Sequence, residues 1–251
     1  MLALVTGGLH RVGAAIAARL AGEGYALALH AHRMGEPDPA LAESIRAHSV
    51  ESAVFPADLA IPGEVESLVD RVKAHFGCAP DALVNSASII NEGQWPDLTR
   101  AALARHLDVN FVAPMLLTSA FVRALAGDRS GAVVNIVDQR VTNPPVDQAA
   151  YTASKLALGA VTRVMARAFA PGVRVNAVAP GNTLPGDAYQ EAQWQRLADI
   201  MPLERNSAPE DIAEAVVYLL GARSVTGQTL FVDGGANLES YARDFLHMER
   251  D

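Results

Sequence analysis

The alternation of short apolar runs with segments of helical spacing most constrains how this chain can fold. The strand-like runs are LALV from Leu2, YALALHA from Tyr25, SAVFPA from Ser52, ALVN from Ala82, AVVNIV from Ala132, VRVNAV from Val173 and QTLFVD from Gln228. The helix-like segments begin at Val12, cover residues 62 to 76, run from Thr99 to about Ala126 and from Tyr151 to about Ala170, and extend from Pro209 to Leu220. This alternation predicts an α/β fold with one doubly wound parallel sheet of about seven strands and helices on both faces.

Composition narrows the classes of function. The formal net charge of −8 and the lack of any basic run argue against a nucleic-acid partner, because phosphate binding depends on clustered Lys and Arg. Apolar stretches end well short of the roughly 20 residues that span a bilayer, so no membrane segment is expected. The single cysteine, Cys78, cannot form an intrachain disulfide, and a strand-like run from Leu2 leaves no room for a secretory leader. We expect a cytoplasmic protein with one domain over residues 1–251.

The glycine-rich stretch VTGGLHRVG follows the first strand and opens the first helix. Gly7 and Gly13 let backbone N–H groups and a helix N-terminus approach a pyrophosphate, with Arg11 and Val12 beside them. The stretch therefore predicts a dinucleotide site. The alternative is an ordinary glycine-rich turn.

The ends of the second and third strands indicate which dinucleotide binds. No acid follows the second strand, where an NAD enzyme holds the ribose hydroxyl, and His32 and Arg33 stand there instead. Arginine accommodates a 2′-phosphate, which favours NADPH over NADH, although a solvated surface charge is the alternative for Arg33. Asp58 and Leu59 end the third strand; Asp58 either accepts from the adenine amino group or starts a loop.

Several further motifs lie in a defined order along the chain. They are Asn85 to Ser88 (NSAS), Asn110 in LDVNF, Tyr151 and Lys155 in YTASK, Pro180 with Gly181, and VDGG near the end. On these residues the chain resembles the short-chain dehydrogenase/reductase family over nearly its whole length. The resemblance implies a Rossmann-like fold, a homotetramer, catalysis by Asn110, Tyr151 and Lys155, and cofactor contacts from Asn85, Ala87, Ser88, Pro180 and Gly181.

The chemistry of the Tyr–Lys pair agrees with that resemblance. Tyr151 and Lys155 are four residues apart and so share one helix face. A lysine ammonium beside a phenol favours the phenolate, so we expect Lys155 to lower the pKa of Tyr151 from its usual value near 10.

An acid stands where the family usually has a serine that polarises a carbonyl substrate. This residue, thirteen positions before Tyr151, is Asp138. An ionised carboxylate accepts hydrogen bonds only, so it would repel the oxyanion of ketone reduction. A protonated carboxyl, or one that relays a proton, suits a C=N bond, where hydride goes to carbon and a proton to nitrogen.

Four features narrow the resemblance to the pteridine reductase and dihydromonapterin reductase branch: Arg11 in TGGLHRVG, the pair His32–Arg33, SAS at residues 86 to 88, and Asp138. The branch implies that Arg11 contacts cofactor phosphate and pterin, that Ser88 binds cofactor or pterin, and that Asp138 and Tyr151 deliver protons. The alternative is sequence drift within a carbonyl reductase. The predicted substrate-binding residues are Arg11, Ser88, Ile90, Asp138, Tyr151 and Leu184.

One position departs from the branch, which places a pterin-stacking aromatic where this chain has Ile90. Trp95, Tyr189 or Trp194 could supply an aromatic instead, since the family's substrate loop corresponds to residues 183 to about 201. The tail, residues 236–251, carries Leu238, Tyr241, Phe245 and Met248 at helical spacing. We expect it to pack on a neighbouring subunit or to close over the pocket.

The sequence thus predicts an NADPH-dependent reductase of a pterin-type C=N bond, with dihydropterin or a dihydrofolate-like compound as substrate. Two alternatives stay open: an NADP(H) oxidoreductase of another small carbonyl or imine, and a dinucleotide-binding sensor without turnover. The intact set Asn110, Tyr151 and Lys155 speaks against the sensor. No metal is expected, because the seven histidines lack ligand spacing.

Overall fold

The computed structural model describes residues 1–90, 93, 95–125, 130–186 and 189–249. Its strands are β1 (Leu2–Val5), β2 (Ala26–Ala31), β3 (Ser52–Pro56), β4 (Ala82–Asn85), β5 (Gly131–Ile136), β6 (Val173–Pro180) and β7 (Thr229–Val232). They form one parallel sheet in the order β3-β2-β1-β4-β5-β6-β7. The predicted single-domain, doubly wound Rossmann-like fold is confirmed. The order reverses between β1 and β4, which is where ligands bind in such sheets.

The helices are α1 (Arg11–Gly22), α2 (Pro39–His48), α3 (Pro62–Phe76), α4 (Arg100–Leu107), α5 (Ala113–Ala124), α6 (Ala149–Phe169), α7 (Glu191–Asp199) and α8 (Pro209–Gly221). On one face of the sheet, α1, α2 and α8 bury side chains such as Ile16, Leu41 and Val216. On the other, α3, α5 and α6 bury side chains such as Leu68 and Phe121. Burial of both faces explains why the strand sequences are almost continuously apolar.

The helix predicted from Thr99 to Ala126 is interrupted. A π-helical turn, Asp108–Val112, separates α4 from α5, and Ala126 lies outside the described residues. The side chain of Asn110 in this turn is fully buried and bonded to the backbone of Ile89, which accompanies the local widening of the helix. The sequence reading missed α2 and α7, which are short helices with 10 and 9 residues and few buried apolar side chains.

One helical stretch, Arg100–Ala124, is long and apolar enough to cross a membrane by length and composition alone. Half of its most apolar part is buried inside the fold, where Leu117 and Phe121 belong to the core. Packing against the sheet therefore accounts for its apolar composition, as in the core helix of a globular protein.

The helical reading of the tail is wrong. Its regular structure consists of two short 3-10 turns, Ala236–Leu238 and Phe245–His247. Carboxylates favour these turns by accepting backbone N–H groups: Asp233 accepts from Asn237, and Asp244 accepts from Leu246. Leu238 is exposed, whereas Tyr241, Phe245 and Met248 pack near Leu197 and Met201 of the same chain. Asp244, Phe245 and Leu246 of the tail line a cavity at the carboxyl edge of the sheet, as the expected closure over the pocket requires.

Candidate active site

A cavity of about 470 Å³ lies at the carboxyl edge of the sheet. It extends from the start of α1 past the ends of β4, β5 and β6 to α7 and the tail. Ten of the residues predicted from the sequence line it: Arg11, Val12, Ser88, Ile90, Asp138, Tyr151, Lys155, Pro180, Gly181 and Leu184. The structure thus brings the predicted catalytic and substrate-binding groups together, except Asn110, which lies behind the wall.

Tyr151 and Asp138 form the reactive pair of this cavity. The Tyr151 hydroxyl donates to Asp138 Oδ2 at 2.9 Å, while Oδ1 accepts the backbone N–H of Arg140 at 2.9 Å. The side chain of Arg140 lies beside the same oxygen, with Nε 3.0 Å from Oδ1 in an ion pair whose geometry is not that of a hydrogen bond. Both oxygens of Asp138 thus have a hydrogen-bond partner, the phenol on one side and a backbone N–H on the other, as a carboxylate that accepts from both would have.

The expectation that Lys155 lowers the pKa of Tyr151 is wrong for this structure. Burial and the charge of Asp138 raise the pKa of Tyr151 well above its usual value. The Lys155 ammonium lies 5.7 Å from the centre of the tyrosine ring and donates to the carbonyl of Ile136 at 2.8 Å. Burial lowers the pKa of Lys155 to about 8. The phenol is therefore held protonated, as a proton donor requires.

Arg140 is a central residue of the site that the sequence reading missed. Its guanidinium lies 4.6 Å from the centre of the Tyr151 ring and donates to Gln148, Thr152 and Asp244. Burial alone would lower the pKa of Arg140, but the charge of Asp138 and those of its other neighbours raise it overall. The available signal was an arginine in the loop that follows the apolar strand β5, two residues after Asp138.

The glycine-rich turn has the shape that a dinucleotide requires. Gly7 adopts a φ of 62°, and a Cβ there would lie 3.0 Å from the Cα of Ala87. A Cβ on Gly13 would lie 2.0 Å from the carbonyl oxygen of Gly7, so the first turn of α1 can pack on this loop only with glycine. The cavity continues from this turn to Tyr151 and Lys155, so the residues fit a bound dinucleotide.

The buried ring of His30 is hydrogen-bonded to the glycine-rich turn. Its Nδ1 accepts the N–H of Gly7 at 3.2 Å, and its Nε2 lies 3.0 Å from the carbonyl oxygen of Ala57. This arrangement uses the neutral imidazole with its proton on Nε2. Burial lowers the pKa of His30 below its usual value.

We predict that this histidine makes folding sensitive to mild acid. The unfolded chain binds a proton at His30 near pH 6.5, whereas the folded chain resists it, so the free energy of unfolding falls as the pH drops through and below that value. Urea unfolding, measured at several pH values between about 7.5 and about 6, should show this decrease of the free energy of unfolding with falling pH as a slope. His30→Gln should flatten it, and His48→Gln, at an exposed position on α2, should not. An unchanged slope in His30→Gln would contradict the assignment.

Arg11 adopts a left-handed φ of 56° at the start of α1, with its backbone N–H donating to Asp38 Oδ2 at 2.8 Å. Asp38 also pairs with the ring of His10 at 2.7 Å. The sequence reading missed Asp38, which precedes α2 and is far from Arg11 along the chain. This carboxylate fixes the backbone of Arg11 beside the cavity.

After β3, Asp58 is bonded to groups of the protein itself, whereas His32 and Arg33 after β2 are exposed. Asp58 Oδ1 accepts from the N–H of Ala60, and both carboxylate oxygens accept from Arg105 at 3.0 and 3.2 Å. These contacts lower the pKa of Asp58 and match the loop-start alternative. Leu59 is buried. His32 Nδ1 lies 4.0 Å from Asp58, and Arg33 is exposed, with no hydrogen bond or ion pair to any residue that the structure describes.

The two predicted asparagines act behind the cavity. Asn85 is buried and donates to Asn135 Oδ1 at 2.8 Å, so its side chain does not line the cavity. Asn110 donates to the carbonyl of Ile89 at 2.9 Å and to Ser154 Oγ at 3.0 Å. Its own Oδ1 accepts from Ser88 Oγ at 3.3 Å. Asn110 therefore ties the loop after β4 to α6, the helix that carries Tyr151.

Two aromatic side chains form part of the outer wall. Tyr189 and Trp194 line the cavity and contact each other edge to face, with ring centres 5.3 Å apart. Trp95 is 60% exposed and lies outside the cavity lining. Of the three aromatics considered in place of Ile90, these two are therefore in position. Within the described residues, no cluster of His, Cys, Asp or Glu side chains could hold a metal ion.

A protein family and several known reductases are similar to this chain over most of its length. Residues 8–237 match the family described as Enoyl-(Acyl carrier protein) reductase. The 3-oxoacyl-(acyl-carrier-protein) reductase FabG of Staphylococcus aureus is 34% identical over 93% of this chain and 96% of its own. Pteridine reductase 1 of Leishmania tarentolae is 32% identical over 94% and 96%.

A solved structure is also similar. It is FolM alternative dihydrofolate reductase 1 from Brucella canis, complexed with NADP. It is 37% identical and aligns with a TM-score of 0.87 over 95% of this chain and 94% of its own. The Brucella protein therefore has the fold described above.

Proposed function

Because the chain belongs to the short-chain dehydrogenase/reductase family, we propose that it is an NADPH-dependent reductase of a pterin-type C=N bond, with a dihydropterin or a dihydrofolate-like compound as substrate. The similar Brucella protein is complexed with NADP, and the similar Leishmania protein is a pteridine reductase. Both support the proposal.

The observation that carries the proposal is the carboxylate of Asp138, 2.9 Å from the Tyr151 hydroxyl inside the cavity. Ketone reduction develops negative charge on oxygen, and a carboxylate at this position would repel it. Reduction of C=N instead requires a proton on nitrogen, and the amino and ring N–H groups of a pterin are hydrogen-bond donors for which a carboxylate is an acceptor. The charge of this site therefore suits a nitrogen heterocycle.

NADPH, when bound, supplies a hydride to the ring carbon. Tyr151 holds the proton that completes the reduction at nitrogen, and its raised pKa keeps that proton on the phenol until it is needed. Asp138 accepts from this phenol and orients it. Lys155 and Arg140 lie near the ring and offset the negative charge left on the Tyr151–Asp138 pair.

The cavity wall offers contacts for a flat heterocycle. Arg11 and Ser88 supply polar groups at the inner side, while Tyr189 and Trp194 supply aromatic surface at the outer side. Aromatic contact adds about 0.5–1.5 kcal/mol beyond area burial, which compensates for Ile90 in the proposed stacking position.

For the cofactor we propose that Gly7, Val12, Ala87, Pro180 and Gly181 shape the dinucleotide cleft and that Arg33 binds the 2′-phosphate. Arg33→Ala should weaken NADPH binding about 10- to 100-fold, because a hydrogen bond to a charged group contributes about 1.5–3 kcal/mol. NADH binding should change little. Titration of both cofactors by protein fluorescence measures this, with Arg46→Ala on α2 as the control at another exposed arginine. Equal losses for both cofactors would show that Arg33 is only a surface charge.

Reduction of a carbonyl is the second candidate, because the similar FabG protein reduces 3-oxoacyl groups on acyl carrier protein. NADPH oxidation followed by absorbance separates the candidates. Turnover with dihydrobiopterin or dihydromonapterin supports pterin reduction, and turnover only with a 3-oxoacyl thioester supports the carbonyl candidate. Cofactor binding without turnover would support the non-catalytic sensor.

We also propose that the protein is a homotetramer and that it is located in the cytoplasm. Val112 and Val164 are 37% and 64% exposed, and Val164 lies on the long helix α6. These exposed apolar side chains support association between copies of the chain.

A further inference from the structure

The tail supplies a buried acid to the catalytic region. Asp244 is 6% exposed, and its Oδ2 accepts from the Arg140 guanidinium at 2.8 Å. Its other oxygen accepts the N–H of Leu246, which fixes the carboxylate's direction. Asp147 anchors the same segment by accepting from Arg243 and from the backbone N–H of Asp244.

Helix α7 holds the end of the tail from the other side. The amide of Gln193, fully buried, donates to the carbonyls of Phe245, Leu246 and Met248. Hydrogen bonds thus join α7 to the tail and form one wall of the cavity. The ion pair between Asp244 and Arg140 connects this wall to Tyr151 and Asp138.

Arg140 in turn determines how Asp138 faces the phenol. Its backbone N–H donates to Oδ1 of Asp138, and its Nε forms an ion pair with the same oxygen. Oδ2 of Asp138 is therefore left to accept from the Tyr151 hydroxyl. Its remaining nitrogens are bonded to Gln148, Thr152 and Asp244, so the guanidinium is fixed in one position. A buried guanidinium needs such partners, because an unpaired buried charge is costly.

We propose that Arg140 and Asp244 are positioning residues of the reaction: Arg140 orients Asp138 toward Tyr151, and Asp244 holds Arg140, so that the C-terminal tail is an integral part of the active site. The effect on turnover rests on the proposed function. The charged and titratable groups that face Tyr151 among the described residues are Asp138, Arg140, Lys155 and Asp244.

Removal of the charge of Arg140 and removal of the charge of Asp244 should shift the pKa of Tyr151 in opposite directions. Arg140→Met removes a positive charge beside Tyr151 and should raise the pKa of its phenol further. Asp244→Asn removes a negative charge, while its amide oxygen can still accept from Leu246, and should lower that pKa. The titration is read as tyrosinate absorbance of the cofactor-free protein, as the difference between each variant and the same variant with Tyr151→Phe.

Steady-state kinetics provides the second readout. Both variants should lose about 10- to 100-fold in kcat for the dihydropterin, as expected for misplaced reacting groups, with little change in NADPH affinity. Arg140→Lys, which keeps the charge, should recover part of this loss. Arg243→Gln removes the half-exposed arginine that pairs with Asp147 but leaves Asp147 bonded to the backbone N–H of Asp244, so it should cost less than about fivefold.

The outcomes separate this inference from the proposed function. Opposite shifts of the phenol show that both charges act on Tyr151 even if no pterin is reduced, and the losses of kcat with partial recovery in Arg140→Lys then support the positioning role. Shifts in the same direction, or unchanged titration in both folded variants, would overturn it. If Arg140→Met fails to fold, Asp244→Asn alone decides: an unshifted phenol or a wild-type kcat would overturn the proposal.

Discussion

Asp138→Asn is expected to reduce the rate of pterin reduction by about 10²- to 10⁴-fold, the usual contribution of a positioned acid–base group. The substitution keeps the size of the side chain, but an amide cannot accept a proton or offset the charge of Arg140. The affinity for NADPH should stay nearly unchanged, because Asp138 faces the phenol at the reacting end of the cavity. Stopped-flow measurement of NADPH oxidation, with cofactor titration by fluorescence, tests both statements.

The matched control is Asp147→Asn, which removes another buried carboxylate that faces an arginine. It should reduce the free energy of unfolding, since the pKa of Asp147 is lowered in the folded chain by its contacts with Arg243 and Asp244, which outweigh burial. It should lower kcat far less than Asp138→Asn does, because its amide oxygen can still accept the backbone N–H of Asp244. If Asp138→Asn retained wild-type pterin reduction, the role assigned to this carboxylate would be wrong.

Tyr151→Phe is expected to cause a loss of similar size, about 10²- to 10⁴-fold, because it removes the proton that the reduction needs. The ring remains in contact with the Arg140 guanidinium, so the free energy of unfolding should change by only about 1 kcal/mol, the net value of one hydrogen bond. Kinetics with the dihydropterin and urea unfolding measure these two effects separately.

Tyr241→Phe provides the control for removal of a phenol, since its hydroxyl makes a long bond, 3.4 Å, to the carbonyl of Ile200. Its kcat should stay close to that of the unchanged protein. Full activity of Tyr151→Phe would mean that the proton reaches the substrate from another group, and the assignment of Tyr151 as donor would fail.

The sheet and the position of the cavity were predictable because they depend on local patterns. Strands buried on both faces are continuous apolar runs, and the ends of parallel strands meet at one edge, which placed Asp138 and Pro180 beside the glycine-rich turn. Tyr151 and Lys155 share a helix face because they are four residues apart. The short helices α2 and α7 carry few buried apolar residues and were missed.

The electrostatics of the site depend on contacts between distant residues, which no local pattern contains. Arg140 meets Asp244, which is 104 positions away, and that pairing requires a tail built from 3-10 turns instead of the predicted helix. The pKa of Tyr151 was predicted in the wrong direction for the same reason. Packing places Asp138 on the phenol and directs the Lys155 ammonium to a backbone carbonyl.

We propose that the carboxylate of Asp138 beside the Tyr151 phenol makes the enzyme select C=N over C=O bonds. The most direct test of this claim is the ratio of kcat/KM for a dihydropterin to that for a 3-oxoacyl thioester, measured with NADPH for the unchanged protein and for Asp138→Ser. We expect the ratio to favour the pterin in the unchanged protein and to fall by at least about 100-fold in Asp138→Ser, where a hydroxyl can donate to a carbonyl oxygen. The same ratio in both proteins would contradict the claim.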